Sequence, residues 1–526
     1  MKKGVIVLVL LTAFASASNV INANTAADMV FSEILNGNIT GRSVMVLNRI
    51  LTEGSTVESW NDDATVPIDG YLVLIDDMAY ANWEHPCRWV FVGLNGDMEI
   101  IRMTTPPNFL ESMTVSRTCL PQVDGKGQYE DFINWFTPNV QSTPTNAEHM
   151  YALIISGGCM FAANYPRYYG DVQFIYNVLA HDYLLPDDHI IVCFADGLNP
   201  AIDQPNDINS NPDFDDDGDS DIIYAATAAG VDSGFKDIAS IVGADDHLFI
   251  FTTDHGANYA GGNSRSTPEV WLNLWYGRSS LDNDDFLDDD DYQTYLEAIT
   301  FASCHVVMEQ CYSGGFLEET IAGTTGKPSS FASAASATEE SWAGATYPEY
   351  DEYVYYWTGA MHGSTPSATS VPGGALPGNP DLNGDGKVSF WEAFDRAKAW
   401  DTHAQSGQEH PQWDDDPDLC GEMYYLGGPT IVGIEYSGSP PSIGGLAITD
   451  NPVSSVSTVV FNLGTPGAAE ISVYDMSGHV VDNLLSDELT AGQHSVSWGT
   501  ERLAAGVYIV RFTAGEVTES VRAVKF

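Results

Sequence analysis

The chain is 526 residues long, enough for several domains, and 44% of its residues are hydrophobic, ample for buried cores. Its 20 basic residues against 73 acidic ones leave a formal charge of −53. A surface so acidic argues against nucleic acid and anionic membranes as partners, suits an exported protein, and supplies hard oxygen ligands for calcium.

Lys2 and Lys3 precede an apolar run over 5–11 and the small residues Ala15-Ser16-Ala17. That order is expected of a secretory signal peptide over residues 1–17. The run is too short to cross a bilayer, and no other reaches the ~18 apolar residues of a spanning helix, so no transmembrane segment is expected. The seven cysteines are too few for a disulfide scaffold, and an odd count leaves at least one thiol unpaired within the chain. Cys87 and Cys119 could form a bridge. No zinc-binding spacing occurs.

Residues 18–145 form a first, α+β region with strand-like runs at 71–75, 89–93 and 98–103. It shows no catalytic constellation, and it reads equally as a prodomain or as a structural or binding module. From 146 the pattern changes. Near-continuous apolar runs at 151–156, 189–194, 247–253 and 304–308, then a short one at 329–335, have the character of strands covered on both faces by helices. Residues 171–185 carry Val172, Ile175, Tyr176 and Leu179 at helical spacing, which makes a βαβ unit with parallel strands. The expected fold is therefore α/β, a mostly parallel sheet flanked by helices. Functional groups of such sheets gather beyond the carboxyl ends of the strands.

Two of those ends carry chemistry. The run at 247–253 leads into Asp254-His255-Gly256, and the run at 304–308 leads into Glu309-Gln310-Cys311-Tyr312-Ser313-Gly314-Gly315. An imidazole and a thiol thus meet at one rim of the sheet. A thiol is only partly ionised at neutral pH, and an adjacent imidazole raises its reactivity. The thiolate can attack a carbonyl carbon, and the imidazolium can protonate the departing amine. The N–H groups of Gly256 and Cys311 are candidate donors to the developing oxyanion. Cys304 and His305 are strand neighbours facing opposite ways, so they cannot form such a pair. Cys159 and Cys193 are expected in the core, and His247 lies at the wrong rim.

Asp-His-Gly after one strand and Glu-x-Cys-x-Ser-Gly after the next resemble the legumain-like peptidases, of the same structural clan as caspases, gingipains and clostripain. The resemblance covers about residues 150–425. It implies a caspase-like fold, cleavage of peptide bonds in protein or peptide substrates, and His255 with Cys311 as the catalytic dyad. Asn164-Tyr165-Pro166-Arg167-Tyr168-Tyr169-Gly170-Asp171 looks like the stretch that brings an arginine to the specificity pocket of legumains, so Arg167 is the candidate to hold a side-chain carboxylate or amide. Ser336 to Ser341 resembles the opposite wall, with Ser336 and Ser341 as candidate substrate-binding residues. Cleavage after Asn or Asp follows from that match. The doubled Glu339-Glu340 leaves open an acidic pocket for Arg or Lys, and a caspase-like adhesin that no longer cuts is the alternative from another class.

Asp381, Asn383, Asp385, Lys387 through its carbonyl, Ser389 and Glu392 fit a twelve-residue EF-hand loop, with Gly386 at the sharp turn. A helix over 393–400 follows, and no clear entering helix precedes. Asp213, Asp215, Asp217 and Asp221 repeat the early spacing, but Tyr224 takes the last position and cannot chelate. Structural calcium is the expected cofactor, and no organic cofactor is expected.

A Ser/Gly/Pro-rich stretch at 437–445 looks like a linker, followed by alternating strands at 458–463, 470–474, 494–498, 506–512 and 520–526. Residues 446–526 are thus expected to form a small β-sandwich. Asp450-Asn451-Pro452, then Val473-Tyr474-Asp475-Met476-Ser477-Gly478, then Leu503-Ala504-Ala505-Gly506-Val507-Tyr508, resemble the sorting domain of type IX secretion cargo. That resemblance implies the secretion machinery as a partner and a destination outside the cell or on its surface.

Overall fold

A computed structural model describes residues 21–525 except 60–62, 83–84, 120–131, 141–146, 206–207, 259–269, 278–285, 325, 345–348, 367–373, 418–419, 430–445, 449–452, 454–455, 464–466, 476–479, 491, 501, 505 and 515–516. The expected signal peptide, the linker and Asp450-Asn451-Pro452 lie outside the described residues. The chain divides into two compact units, Met1–Gly428 and Pro429–Phe526.

The first unit contains two large sheets. The N-terminal one has strands β1 (Ser43–Leu47), β2 (Gly70–Asp76), β3 (Cys87–Gly93), β4 (Met98–Met103) and β5 (Met113–Thr118), all antiparallel in the order β4-β3-β2-β1-β5. Side chains alternate between its faces. Leu72, Leu74, Trp89 and Phe91 build one core, while Val73, Ile75, Val90 and Val92 pack with Ala26 and Ala27 of helix α1 (Ala23–Met29). Asn22 caps that helix by accepting from the Thr25 N–H. Strands β1 and β5, adjacent in this sheet, were not legible in the sequence.

The second sheet carries the candidate site. Its strands are β6 (Met150–Ser156), β7 (Ile190–Phe194), β8 (Ile222–Tyr224), β9 (His247–Thr252), then β13 (Ser303–Met308), β14 (Ser329–Ser333) and β15 (Gln412–Asp416). Between β9 and β13 the chain makes a small antiparallel sheet of β10 (Gly256–Asn258), β11 (Val270–Asn273) and β12 (Phe286–Asp288). The main sheet runs β8-β7-β6-β9-β13-β14-β15, parallel throughout except for β15. The protein is thus mixed α/β, with a seven-stranded, mostly parallel sheet and several antiparallel ones.

Helices cover both faces, which is why the strands are apolar on both sides. Val231, Phe235 and Ile238 of α3 (Ala228–Ile241) and Tyr292 and Leu296 of α4 (Asp289–Glu297) pack with Leu153, Ile250 and Val306. On the other face Phe249 stacks on Trp357 of α6 (Glu352–His362) and on Phe390 of α7 (Phe390–Trp400). Helix α2 (Pro166–Asn177) begins earlier than its apolar spacing indicates, because Pro166 opens the first turn and Arg167, Tyr168 and Tyr169 behind it are buried. A π-helical turn over Val178–Asp182 closes it. Helix α5 (Leu317–Gly323) follows the Cys311 loop.

The second unit is a two-sheet sandwich. Strands β16 (Ala447–Ile448), β17 (Val456–Leu463) and β20 (Gly492–Gly499) form one sheet, in the order β16-β17-β20. Strands β18 (Gly467–Asp475), β19 (Val480–Leu489), β21 (Gly506–Ala514) and β22 (Val517–Lys525) form the other, in the order β19-β18-β21-β22. Phe461, Trp498, Ile471, Val510 and Phe512 share its core. Strand β19 was missed because its register shifts twice against β18, which breaks the simple alternation.

Candidate active site

The main sheet changes direction between β6 and β9. The chain moves outward from β6 to β8 and then returns to the far side of β6. Crevices at such switch points, beyond the carboxyl ends of the strands, are where open α/β sheets bind ligands. Two of those ends are tied together here. Asp254, after β9, accepts hydrogen bonds from the N–H of Gly158, after β6, and from the N–H of His255 at 2.6 Å. Burial nevertheless pushes the Asp254 carboxyl up to about 8.

In the β9–β13 ladder Thr252 pairs with Met308, so His255 and Cys311 both lie three residues beyond the paired positions. Gly256 makes this possible, since a Cβ there would stand 2.1 Å from the Cys311 carbonyl oxygen. Both side chains are wholly buried. The His255 Nε2 lies 2.9 Å from the Ala163 carbonyl, which only accepts, so Nε2 carries its hydrogen there. The Tyr168 hydroxyl stands 3.1 Å from Nδ1. The Cys311 thiol donates to the Asn82 carbonyl at 3.1 Å and accepts the Ser341 N–H at 3.4 Å. Burial, with the nearby Glu340 charge, holds the thiol well above its usual value. Burial, with Arg167 and His85, holds the His255 imidazole well below its own. Closed in this way, the pair is thiol and neutral imidazole.

Asn82 enters the site from the N-terminal region, between β2 and β3. Its side-chain oxygen accepts from the Arg167 guanidinium at 2.5 and 3.2 Å and from the Tyr168 hydroxyl at 2.6 Å. Its amide nitrogen donates to the Ser341 hydroxyl at 3.0 Å and to Asp351 at 3.4 Å. Arg167 is itself ion-paired to Asp351 at 2.9 Å. Asp351 in turn receives support from Asp171, which accepts the Asp351 N–H at 3.2 Å and the Thr253 hydroxyl at 2.9 Å. Burial raises both carboxyls, and Arg167 pulls Asp351 back down, so Asp171 keeps the proton and Asp351 the charge.

Of the sequence candidates, Cys311, Arg167 and Ser341 converge on one residue, Asn82, while His255 shares the Tyr168 hydroxyl with it and Gly256 lies against Cys311. Ser336 does not join them in the contacts of Asn82. It sits in a turn with its N–H on Glu339 at 2.9 Å and its hydroxyl 3.4 Å from Thr338. The doubled acids part company: Glu339 bonds His410 at 2.8 Å, while Glu340 lies toward the thiol. Asn82 and Asp351 were not found by sequence reasoning, since each is a single polar residue with no motif around it, and Tyr168 and Asp171, although inside the stretch that singled out Arg167, were given no role. Cys304 lies in the core and His305 stacks on Phe390 at 4.3 Å on the opposite face, as strand alternation requires. Cys159 is buried as expected, but its backbone is left-handed and its sulfur lies within 4.8 Å of Asp254 and His255, at the site rather than remote from it. Among the described residues no disulfide forms, the Cys87–Cys119 bridge included, and the Cys87 thiol donates to the Thr105 carbonyl instead.

The two acidic loops differ. Oxygens of Asp213, Asp215 and Asp221 lie within 4.8 Å of one another, whereas Asp217 turns to the Asp219 N–H. In the EF-hand-like loop Asp381 accepts from the N–H groups of Gly384 and Gly386, Asn383 from Asp385, and Asp385 from Lys387. Glu392 accepts from Leu382, Asn383 and Ser389, forming a capping box with Ser389 at the start of α7. Oxygen-rich turns of this kind suit a hard cation.

Residues 450–525 match the family model of the secretion system C-terminal sorting domain. That match marks the chain for export by the type IX secretion system, to the cell surface or beyond it, and implies contact with that machinery. Among the described residues, no helix is long and apolar enough to cross a membrane. No curated protein matches the chain. Among solved structures, dimeric latent PorU from Porphyromonas gingivalis is similar at 15% identity and a TM-score of 0.14, over 17% of this chain and 10% of that one. The endo-beta-1,4-mannanase from Thermotoga petrophila is similar at 11% identity and 0.13, over 57% and 61% of the two chains. An engineered protein is similar at 14% identity and 0.13, over 57% and 70%. This chain therefore spans about a tenth of the PorU chain.

Proposed function

We propose that the chain is an exported cysteine endopeptidase with a caspase-like catalytic domain over 146–436, a prodomain over 18–145, Cys311 as nucleophile and His255 as acid–base partner. One observation carries this reading: of a thiol and an imidazole placed after adjacent parallel strands, the thiol donates to a single buried peptide carbonyl, that of Asn82, and the Tyr168 hydroxyl stands between the imidazole and the Asn82 side chain. In the reaction His255 takes the Cys311 proton, the thiolate attacks the carbonyl carbon, and His255 returns the proton to the departing amine. The N–H groups of Gly256 and Cys311 are the proposed oxyanion donors. The buried Arg167 favours a neutral amide or a carboxylate before the scissile bond and disfavours Arg or Lys there, by like-charge repulsion. Calcium in the loops at 213–221 and 381–392 is proposed as a structural ion.

Profiling with reporter peptides ending in Asn, Asp, Arg or Lys tests this directly. Turnover of Asn or Asp peptides, lost in Cys311→Ala, is the expected result. A chain that neither cleaves any of them nor reacts with a thiol-directed peptide inhibitor, once its site is open, overturns the peptidase reading.

A further inference from the structure

We infer that residues 80–82 are bound as this enzyme's own substrate, that they hold the site closed, and that the peptide bond following Asn82 is where the chain is processed to open it. The inference rests on the peptidase reading above. Its first support is backbone geometry. The Ala343 N–H donates to the Tyr80 carbonyl at 2.7 Å, the Asn82 N–H donates to the Ser341 carbonyl at 3.0 Å, and Ala81 faces Trp342 in an antiparallel bridge. Residues 80–82 thus add a short strand to 341–343, which is how an extended peptide is held by main-chain bonds.

The second support is the side chain. Connections between strands usually lie on the surface, with their polar groups in water. Asn82 is wholly buried, and both ends of its amide are bonded, to Arg167 and Tyr168 on one side and to Ser341 and Asp351 on the other. Donors face its oxygen and acceptors face its nitrogen, so the pocket reads a carboxamide. An aspartate in the same seat would keep the Arg167 bonds but bind more weakly, its second oxygen set against Asp351.

The third support is the carbonyl. Its oxygen lies 3.1 Å from the Cys311 sulfur and 3.0 Å from Nδ1 of His85. The other His85 nitrogen is 2.8 Å from Asp76. Both neighbours of that ring are acceptors, so the ring carries both protons and donates to the Asn82 oxygen, adding a charged donor to the two N–H groups proposed above for the negative charge that develops there. The step balances as a hydrolysis. The Cys311 proton moves to His255, a bond forms from sulfur to the Asn82 carbonyl carbon, and the C–N bond breaks as the amine takes the proton. One water then cleaves the thioester, leaving the Asn82 carboxylate and the free thiol. The cut falls between β2 and β3, which remain paired from Asp76 and Cys87 onward. The product is therefore a nicked chain whose loop ends are free to leave the cleft.

The test uses the full chain as wild type, Cys311→Ala, Asn82→Ala and Asn82→Gln, followed by intact mass, N-terminal sequencing and turnover of an Asn reporter peptide. Wild type is expected to be nicked directly after Asn82 and Cys311→Ala to stay whole. Asn82→Ala is expected to stay whole there and yet to turn over the reporter at least about tenfold faster than uncut wild type, since it loses hydrogen bonds to charged groups. Asn82→Gln keeps the amide but is one methylene too long, so a raised rate there with an unchanged melting temperature separates release from misfolding. A wild type that turns over the reporter but is never nicked after Asn82, with neither variant faster, overturns the inference and leaves the peptidase standing. Absence of turnover and of thiol labelling in every form overturns both.

Discussion

Arg167 is wholly buried, ion-paired to Asp351 and stacked 4.2 Å from the centre of the Tyr165 ring. Its planar fork reaches Asn82 and Asp351 together, which a single ammonium cannot do. Arg167→Lys keeps the charge but loses the fork, and kcat/KM for an Asn reporter is expected to fall by about ten- to a hundredfold, the equivalent of one or two charge-assisted hydrogen bonds. Labelling of Cys311 should persist in that variant, and an unchanged kcat/KM would remove Arg167 from the pocket. At this scale the sequence was informative only where a residue sits in a motif. Arg167 and Ser341 could be named from a resemblance. Asp351, although 184 positions away in sequence by subtraction of the two residue numbers, completes the same pocket, and no local pattern marks it.

Two elements bring the site together, and both depend on tight backbone. The strand after His255 passes so close to the Cys311 carbonyl that residue 256 has no room for a side chain. Gly256→Ala must push the two loops apart, at an overpacking cost of about 1–3 kcal/mol. A shift of order 1 Å between reacting groups can cost about a hundredfold in rate. The variant is therefore expected to fold, by circular dichroism, while kcat falls about a hundredfold. Full activity would mean that the close approach is incidental. The acidic loops make the other prediction at this scale. If calcium braces them, a hundredfold excess over its Kd adds about 2.7 kcal/mol of stability. Calorimetry in excess chelator should then show a lower melting temperature, restored by calcium, with Asp213→Asn and Asp381→Asn each losing part of the response. A melting temperature indifferent to chelator would discard the ion.

For the molecule as a whole, the charge of −53 hides a set of acids that burial keeps protonated. Burial pushes Asp254 up to about 8, and Glu352 and Asp289 up to about 7. A carboxyl raised in the folded state contributes stability that is complete below its unfolded value and disappears as the pH climbs through its folded one. The melting temperature is therefore expected to fall between about pH 4 and pH 8, from the ordinary carboxyl value to the raised ones. Repulsion among the remaining carboxylates works in the same direction. A melting temperature that rises across that range would show instead that ionised, paired carboxylates dominate.

The sequence by itself determined what depends on local repetition and on spacing along the chain. Runs of apolar residues are enough to indicate parallel strands buried on both faces, and the residues that end two of them are enough to single out a thiol and an imidazole. Alternation and a handful of turn residues likewise announced the C-terminal sandwich, whose sorting-domain character the family match bears out. Tertiary structure alone decided what fills the site. Only the folded chain carries Asn82 from a connection in the N-terminal sheet to the sulfur of Cys311, and only there do Asp171 and Asp351 meet behind Arg167. The reason is physical: a hydrogen bond between residues hundreds of positions apart has no period and no spacing, and its energy exists only once both partners have been taken out of water together.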